Sequence, residues 1–361
     1  MKKINLLYAA ALVAIIATTG CKKDPDKEPV QPATSTSDLN SDVLSSFTVN
    51  VSQATYNDLA TKSTALSASV QIFNSDPTDD HLTDCKQLWR DCRLSYEQSE
   101  GFLFGPAATD NIDPRIDTWP VDYVALDSIL GSSATFSESY VNGLDDALRG
   151  FHPIEYLLFG NGGNKTASQF TSREKDFLLA LTTNLKNLAT QLAQEWNPAV
   201  SGNYSVQITT AGSSGSVYAT KRAAFEEMVN SMADICNEVA NEKIQTPFVA
   251  QDPSLEESPF SFNSMTDFIN NIKSVQNVYL GKYTTDGKGL EDLVRANNLS
   301  LDGTIKTKIN SALAALNAIT VPFGQAITTQ QVQITNAQAA INNLKSVIEN
   351  DLMTYVQTYT H

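Results

Sequence analysis

The sequence predicts an all-α protein built of helical bundles. From Asp38 onward apolar residues recur at helical spacing over long segments, and strand signals are few. Turn residues between those segments then divide the chain into candidate helices at about 40–73, 79–104, 136–148, 151–159, 168–196, 215–245, 263–281, 290–298, 302–319 and 328–357.

In chain order, residues 1–21 read as an export signal. Met1-Lys2-Lys3 is a short basic start, Leu6 to Ala17 is an apolar core too short to span a bilayer, and small residues follow. The ending Thr18-Thr19-Gly20-Cys21 resembles a bacterial lipobox, with Thr18 where Leu is the common residue, and so predicts lipidation of Cys21. Residues 22–37 are rich in Pro, Lys, Asp, Ser and Thr and are expected to be a flexible tether. The helical segments follow. In the last, Val332, Ala339, Ile341, Leu344, Val347, Ile348 and Leu352 form an apolar stripe with mostly polar residues opposite. Loops are marked by Asp76-Pro77, Asn197-Pro198, the Ser/Gly cluster 211–215 and Pro253 to Pro259. The region near 200–215 is the best place to divide the chain, giving an N-terminal helical domain at 38–205 and a C-terminal one at 213–361.

The 361 residues suffice for two domains, each with its own core, and the 42% apolar content is that of a globular protein. With 25 Lys and Arg against 40 Asp and Glu, the formal charge of −15 excludes a nucleic-acid footprint and favours cationic ligands, metal ions included. Cys85 and Cys92 stand two turns apart on one predicted helix, about 10 Å by the helical rise, too far to pair with each other. One of them pairs with Cys236, or all three are small buried residues.

The stretch Gly150-Phe151-His152-Pro153-Ile154-Glu155-Tyr156-Leu157-Leu158-Phe159-Gly160 sets two ionisable groups in an apolar run, where a charge needs a partner. On a helix His152 and Glu155 share a face. Pro153 favours a first helical position, so an alternative makes His152 the N-cap and Glu155 a capping-box residue. The segment Glu100-Gly101-Phe102-Leu103-Phe104-Gly105 echoes Glu155 to Gly160 and brings a second carboxylate into apolar surroundings. If the two segments are neighbours, Glu100, His152 and Glu155 converge on one cation, and a hard or borderline metal such as iron accepts that donor set. Between them, residues 110–122 hold four Asp and Arg115, which read as further ligands, as a counter-ion to Glu155, or as a solvated acidic loop.

Other chemistries lack their motifs. His-Glu-x-x-His is absent, the remaining histidines are His81 and His361, and zinc is the less favoured metal for want of its usual histidines. The paired Glu-x-x-His of di-iron bundles, the Gly-x-Ser-x-Gly elbow and the P-loop are absent too.

Gly150-Phe151-His152-Pro153-Ile154-Glu155 resembles the Gly-x-His-x-x-Glu signature of the imelysin-like family. The likeness extends to Trp89 through Pro106, Arg115-Ile116-Asp117-Thr118-Trp119-Pro120, Glu257-Ser258-Pro259-Phe260-Ser261, Tyr279-Leu280-Gly281 and Leu290-Glu291-Asp292-Leu293-Val294, so it covers about residues 40–357. The resemblance implies two helical-bundle domains packed together with the site near their junction, in exported or lipid-anchored bacterial proteins. Some members are labelled peptidases and others are linked to iron uptake. The expectation for this chain is an envelope lipoprotein, on the periplasmic face of the outer membrane or the cell surface, that binds iron as an ion or as haem for uptake-system proteins. His152, Glu155 and Glu100 would be ligands, and Arg115, Asp117, Trp119 and Ser258 would orient them. The alternatives are a metallopeptidase with Glu155 as general base and a non-catalytic helical interaction module.

Overall fold

The computed structural model describes residues 36–360. The expected signal, Cys21 and the tether up to residue 35 lie outside the described residues. The described chain is all-α, as the spacing predicts, and no strand occurs among the described residues. No helix among them is long and apolar enough to cross a membrane.

Thr36–Ser46, the π-helical turn Phe47–Gln53 and Ala54–Ser75 run on as one rod, α1. It packs against α2 (Asp79–Glu97) and, after several short helices, against α4 (Ser172–Glu195). The intervening α3 (Phe151–Phe159) carries the His/Glu motif and rests on α2. In the second half α5 (Lys221–Glu238) continues through the π turn Val239–Lys243, and α6 (Ser264–Leu280), α7 (Leu299–Asn317) and α8 (Gln331–Ser346) complete a second bundle. Apolar faces make these contacts: Leu59, Leu66, Val70 and Phe73 of α1 are buried, as are Phe268, Ile272 and Val275 of α6. The two halves meet where α6 lies along α2 and along the 3-10 turn Glu100–Phe102, and Thr36–His361 forms one compact unit. Residues 205–209 form a short helix with Ser205 and Ile208 buried.

The predicted segment 136–148 is helical only at Glu138–Asn142 and Asp146–Leu148. Short helices at Pro106–Thr109, Ile112–Asp117 and Tyr123–Gly131 fill the stretch between the predicted helices 79–104 and 136–148, because four to nine residues repeat the helical period too few times to show as a pattern. Cys85, Cys92 and Cys236 are free and buried, so no disulfide joins them.

Two glycines decide where the site forms. Gly101 lets the Glu100 turn lie on α6, since a β-carbon there would stand 2.7 Å from Ser274 Oγ. Gly150 has φ +84°, and a β-carbon there would collide with the Ile116 carbonyl. A side chain at either place would push apart the elements that carry Glu100, Asp117 and His152.

Candidate functional site

Gly150 is the N-cap of α3, and the helix begins at Phe151 rather than Pro153. His152 and Pro153 therefore lie in the first turn, where a proline is tolerated because the backbone N–H groups have no intrahelical partner. Glu155 lies past the capping-box position, and no side chain caps this helix. Oε1 of Glu155 accepts from Phe260 N at 3.1 Å, Ser261 N at 2.7 Å and Ser261 Oγ at 2.6 Å. Glu155 thus clamps the 257–262 loop onto α3, and its other oxygen lies 4.0 Å from His152 Nδ1.

The centre of the site is Arg93, fully buried on α2. Its guanidinium contacts Asp117 Oδ1, lies 2.6 Å from Glu97 Oε1 and 2.5 Å from Glu257 Oε1, and has Asp267 Oδ1 at 3.7 Å. A planar fork suits several carboxylates in fixed directions. His152 Nε2 stands 3.1 Å from Asp117 Oδ1 and 3.9 Å from Glu257 Oε1, with neither ring nitrogen aligned for a full hydrogen bond. Lys243, at the end of the π turn, is the second cation: Nζ is 3.2 Å from Glu100 Oε2, 3.2 Å from Glu257 Oε1 and 3.4 Å from Glu238 Oε1. Asn271 of α6 donates to both Glu97 and Glu100, at 2.8 Å for the latter.

Six buried carboxyl side chains (Glu97, Glu100, Asp117, Glu155, Glu257, Asp267) therefore face one guanidinium, one ammonium and one imidazole. Burial works against the charge on Arg93 and on Lys243, yet the surrounding carboxylates outweigh it and raise both pKa values. Burial would raise Asp117 as well, but Arg93 and His152 hold it well below the usual carboxylate range. For Glu257 the cations Lys243 and Arg93 likewise overcome burial, and its pKa falls. Those four groups are charged. His152 is drawn the same way: burial lowers it, but Asp117 and Glu155 push it up to about 9. The excess negative charge is shed elsewhere: burial lifts Glu97 to about 8 despite Arg93, and burial together with Glu97 lifts Glu100 well above its ordinary value.

Of the residues expected from the sequence, the structure brings His152 and Asp117 together and sets Glu100 on the far side of Asp117. Two groups of three donors fall within 4.8 Å: Asp117, His152 and Glu257, and Glu97, Glu100 and Asp117. Glu155 is engaged with the loop. Arg115 points away, to the Asn142 side chain, and Arg93 provides the guanidinium. Trp119 packs on the His152 ring at 5.0 Å between centroids. Ser258 Oγ donates to Asp267 at 2.7 Å and so orients that carboxylate. Of the four aspartates in 110–122, Asp113 and Asp117 reach the site, while Asp122 caps the helix Tyr123–Gly131. Sequence reasoning missed Arg93, Glu97, Lys243, Glu257 and Asp267 as site residues. Its one available signal was Arg93 and Glu97 four apart on a helix.

A cavity of about 360 Å³ opens onto this network, lined by Glu100, Asp113, Asp117, Glu238, Glu242 and Glu257 with Lys243 as its one basic residue. Asp117 and Glu257 give one oxygen each to the buried cations, and among the described residues nothing hydrogen-bonds to the other.

The model of the protein family described as Imelysin (Peptidase_M75) matches residues 52–350. The chain belongs to the imelysin family. It is 30% identical over 325 residues to the iron-regulated protein A of Synechococcus elongatus, covering 88% of this chain and 87% of that one. A crystal structure described as an iron-regulated protein A precursor from Parabacteroides distasonis is 28% identical, with a TM-score of 0.81 over 94% of this chain and 98% of the other. An imelysin-like protein from Psychrobacter arcticum shares the fold at 12% identity, TM-score 0.74, over 89% of this chain and 96% of that one. In this imelysin the signature residues divide their work: Gly150 permits the close approach, His152 meets Asp117, and Glu155 anchors a loop 105 residues away.

Carboxylate oxygens and one imidazole suit iron in chemistry, and Asp117 and Glu257 face the cavity with an oxygen to spare. The inner oxygens of the same two carboxylates already hold Arg93, so the fit lies on the cavity side.

Proposed function

We propose that this chain binds iron, as an ion or within an iron compound that includes haem, in the acidic cavity beside His152, as a collecting protein of an iron-uptake system. The observation that carries this reading is the cavity itself: six carboxyl groups against a single lysine, Asp117 and Glu257 among those with an oxygen free. Even with Glu100 holding a proton, the carboxyl groups outnumber the one ammonium, and such a region is stabilised by taking up a cation. Asp117, Glu257 and Glu100 would hold the cargo, His152 would set Asp117 from behind, and Glu155 would hold the loop that carries Glu257. The name of the Synechococcus relative, iron-regulated protein A, supports an iron-related role. The amino-terminal export signal ending in Cys21 supports a lipid-anchored position in a bacterial cell envelope, on the periplasmic face of the outer membrane or the cell surface, where uptake proteins would receive the iron.

Against the metallopeptidase alternative stands the use made of Glu155. Its Oε1 accepts three hydrogen bonds, and its unpartnered Oε2 is fully buried 4.0 Å from His152 Nδ1, whereas the general base of that reaction needs an oxygen that faces a water.

The test is iron content and affinity of the purified chain, beside an Asp117→Asn, Glu257→Gln variant and a His152→Ala, Glu155→Ala variant. Binding by the wild type and its loss in the first variant is expected. Equal binding by all three proteins would overturn the assignment.

A further inference from the structure

Next to the acidic cavity, across Trp119, Pro120 and Leu255, lies a larger one of about 810 Å³ that the iron reading does not use. Its wall is aromatic. Tyr123, Tyr156 and Phe260 stand with ring centroids 5.1 Å, 5.2 Å and 5.9 Å apart and form one continuous surface, and Trp119 and Phe262 extend it. Four of the sixteen lining residues are prolines, whose fixed φ makes the walls preformed rather than assembled on binding.

Two further features point to an occupant. Phe262 is 52% exposed and has φ +56°, a conformation that a bulky residue seldom adopts. Its ring is seated over Gly163, where a β-carbon would stand 2.8 Å from Phe262 Cε2. An apolar ring is thus held at the cavity edge against backbone preference. Secondly, Glu256 is the one carboxyl side chain lining this space, and the residue is only 2% exposed; burial pushes its pKa up to about 7, and a cation beside it favours the charged form. Its Oε2 accepts from Ser264 Oγ at 2.8 Å and Gly324 N at 3.2 Å, while Oε1 accepts no hydrogen bond among the described residues. A preformed apolar pocket with one convergent carboxylate selects an apolar body that carries one positive group. Aromatic faces favour that positive charge as well.

The geometry points to a second binding site, for an organic cation with an aromatic body, which lies on Trp119, Tyr123, Tyr156, Phe260 and Phe262 and sets its positive group on Glu256. It stands apart from the iron reading, because none of these side chains is among the iron donors. Trp119 borders both cavities.

The experiment titrates the full-length chain with 4-phenylbutyltrimethylammonium, uncharged 4-phenylbutanol, 4-phenylbutyrate and tetramethylammonium. Binding is read by calorimetry and by Trp119 emission, the other two tryptophans being fully buried. The aromatic cation should bind at least tenfold more tightly than the alcohol, and the butyrate and tetramethylammonium more weakly than both. Glu256→Gln should reduce affinity for the cation about tenfold and leave the alcohol unchanged, the loss of one Coulombic contact. Phe262→Ala, at a half-exposed position and so safe for folding, should weaken cation and alcohol together. Equal binding of cation and butyrate, or Glu256→Gln and Phe262→Ala variants that bind like wild type, would overturn the proposal. Iron affinity measured on the same samples separates this result from the iron reading: a chain that binds the aromatic cation but no iron keeps the site and loses the uptake role.

Discussion

Asp117 Oδ1 lies 3.1 Å from His152 Nε2, and the same oxygen receives the guanidinium of Arg93. One carboxylate atom thus joins α2, the 112–117 turn and the signature helix. The first prediction follows from that sharing. Arg93→Met removes the cation that compensates Asp117 and Glu257 and strands their charge, so it should cost about 3–5 kcal/mol in chemical unfolding. Arg93→Lys keeps the charge but not the fork and should cost a good part of the same amount. A loss under about 1 kcal/mol in Arg93→Met would show that the network is not compensated by the arginine.

Gly150→Ala should destabilise by about 2 kcal/mol or more, because the new β-carbon meets the Ile116 carbonyl at a φ that L residues avoid. Denaturant melts measure this. Iron affinity should fall with it, since the contact that fails is the one bringing Asp117 to His152.

Glu155→Ala should cost about 1–3 kcal/mol by leaving the Phe260 and Ser261 N–H groups without an acceptor. Limited proteolysis should then cut near 257–262 sooner than in wild type. Glu155→Gln keeps an acceptor oxygen and should retain most of the stability and the iron affinity. Loss of all iron binding in Glu155→Gln, with the loop still protected, would instead make Glu155 a ligand.

These predictions also mark what was legible in the sequence. The all-α class and the bounds of α3 were, because buried helices write their period into the chain. His152 and Glu100 were, because a charge in an apolar run is conspicuous, and Asp117 was noticed through the family likeness of residues 115–120. Arg93 was not: Arg90 and Arg93 stand on one helix, and nothing local tells the buried one from its neighbour. What buries Arg93 is Glu257, 164 residues away, and long-range pairing leaves no local pattern. Glu155 misled for a related reason, since its partners are backbone N–H groups of a distant loop and spacing on its own helix cannot reveal them. Arg115 looked suitable by proximity to Asp117, but successive residues on a helix face different ways.

The pH dependence has a definite sign. His152 is raised to about 9 by Asp117 and Glu155 against burial, so its contribution is complete below about 6.5 and is lost as pH climbs through 9. Glu97 is raised to about 8 by burial, so the folded chain holds a proton that the unfolded chain has released above about 4.5. Stability from this group also declines as pH rises between those values. Asp117 and Glu257 are depressed, and their stabilisation is lost on the acid side, below the ordinary carboxylate range. Without iron the melting temperature should fall from about pH 6 to pH 9, and Glu97→Gln should flatten that slope. A melting temperature rising over the same interval would contradict the assignment.

Lys243 bears on how iron would enter. Its ammonium lies between Glu100, Glu238 and Glu257, inside the cavity whose other charged side chains are carboxylates. It is a tethered cation already in the place that a free one would seek, and incoming iron has to displace it or share its carboxylates. Two opposite effects follow from Lys243→Gln. Without iron, Glu100 loses its hydrogen-bonded cation and Glu257 keeps only Arg93, and the fold should weaken by about 1–3 kcal/mol. With iron present the competitor is gone, and affinity should rise about tenfold, equivalent to 1.4 kcal/mol. The two measurements are an iron-free melt and a binding titration at fixed pH and salt. A variant that is both less stable and weaker at binding iron would mean that Lys243 supports the iron site rather than competing for it.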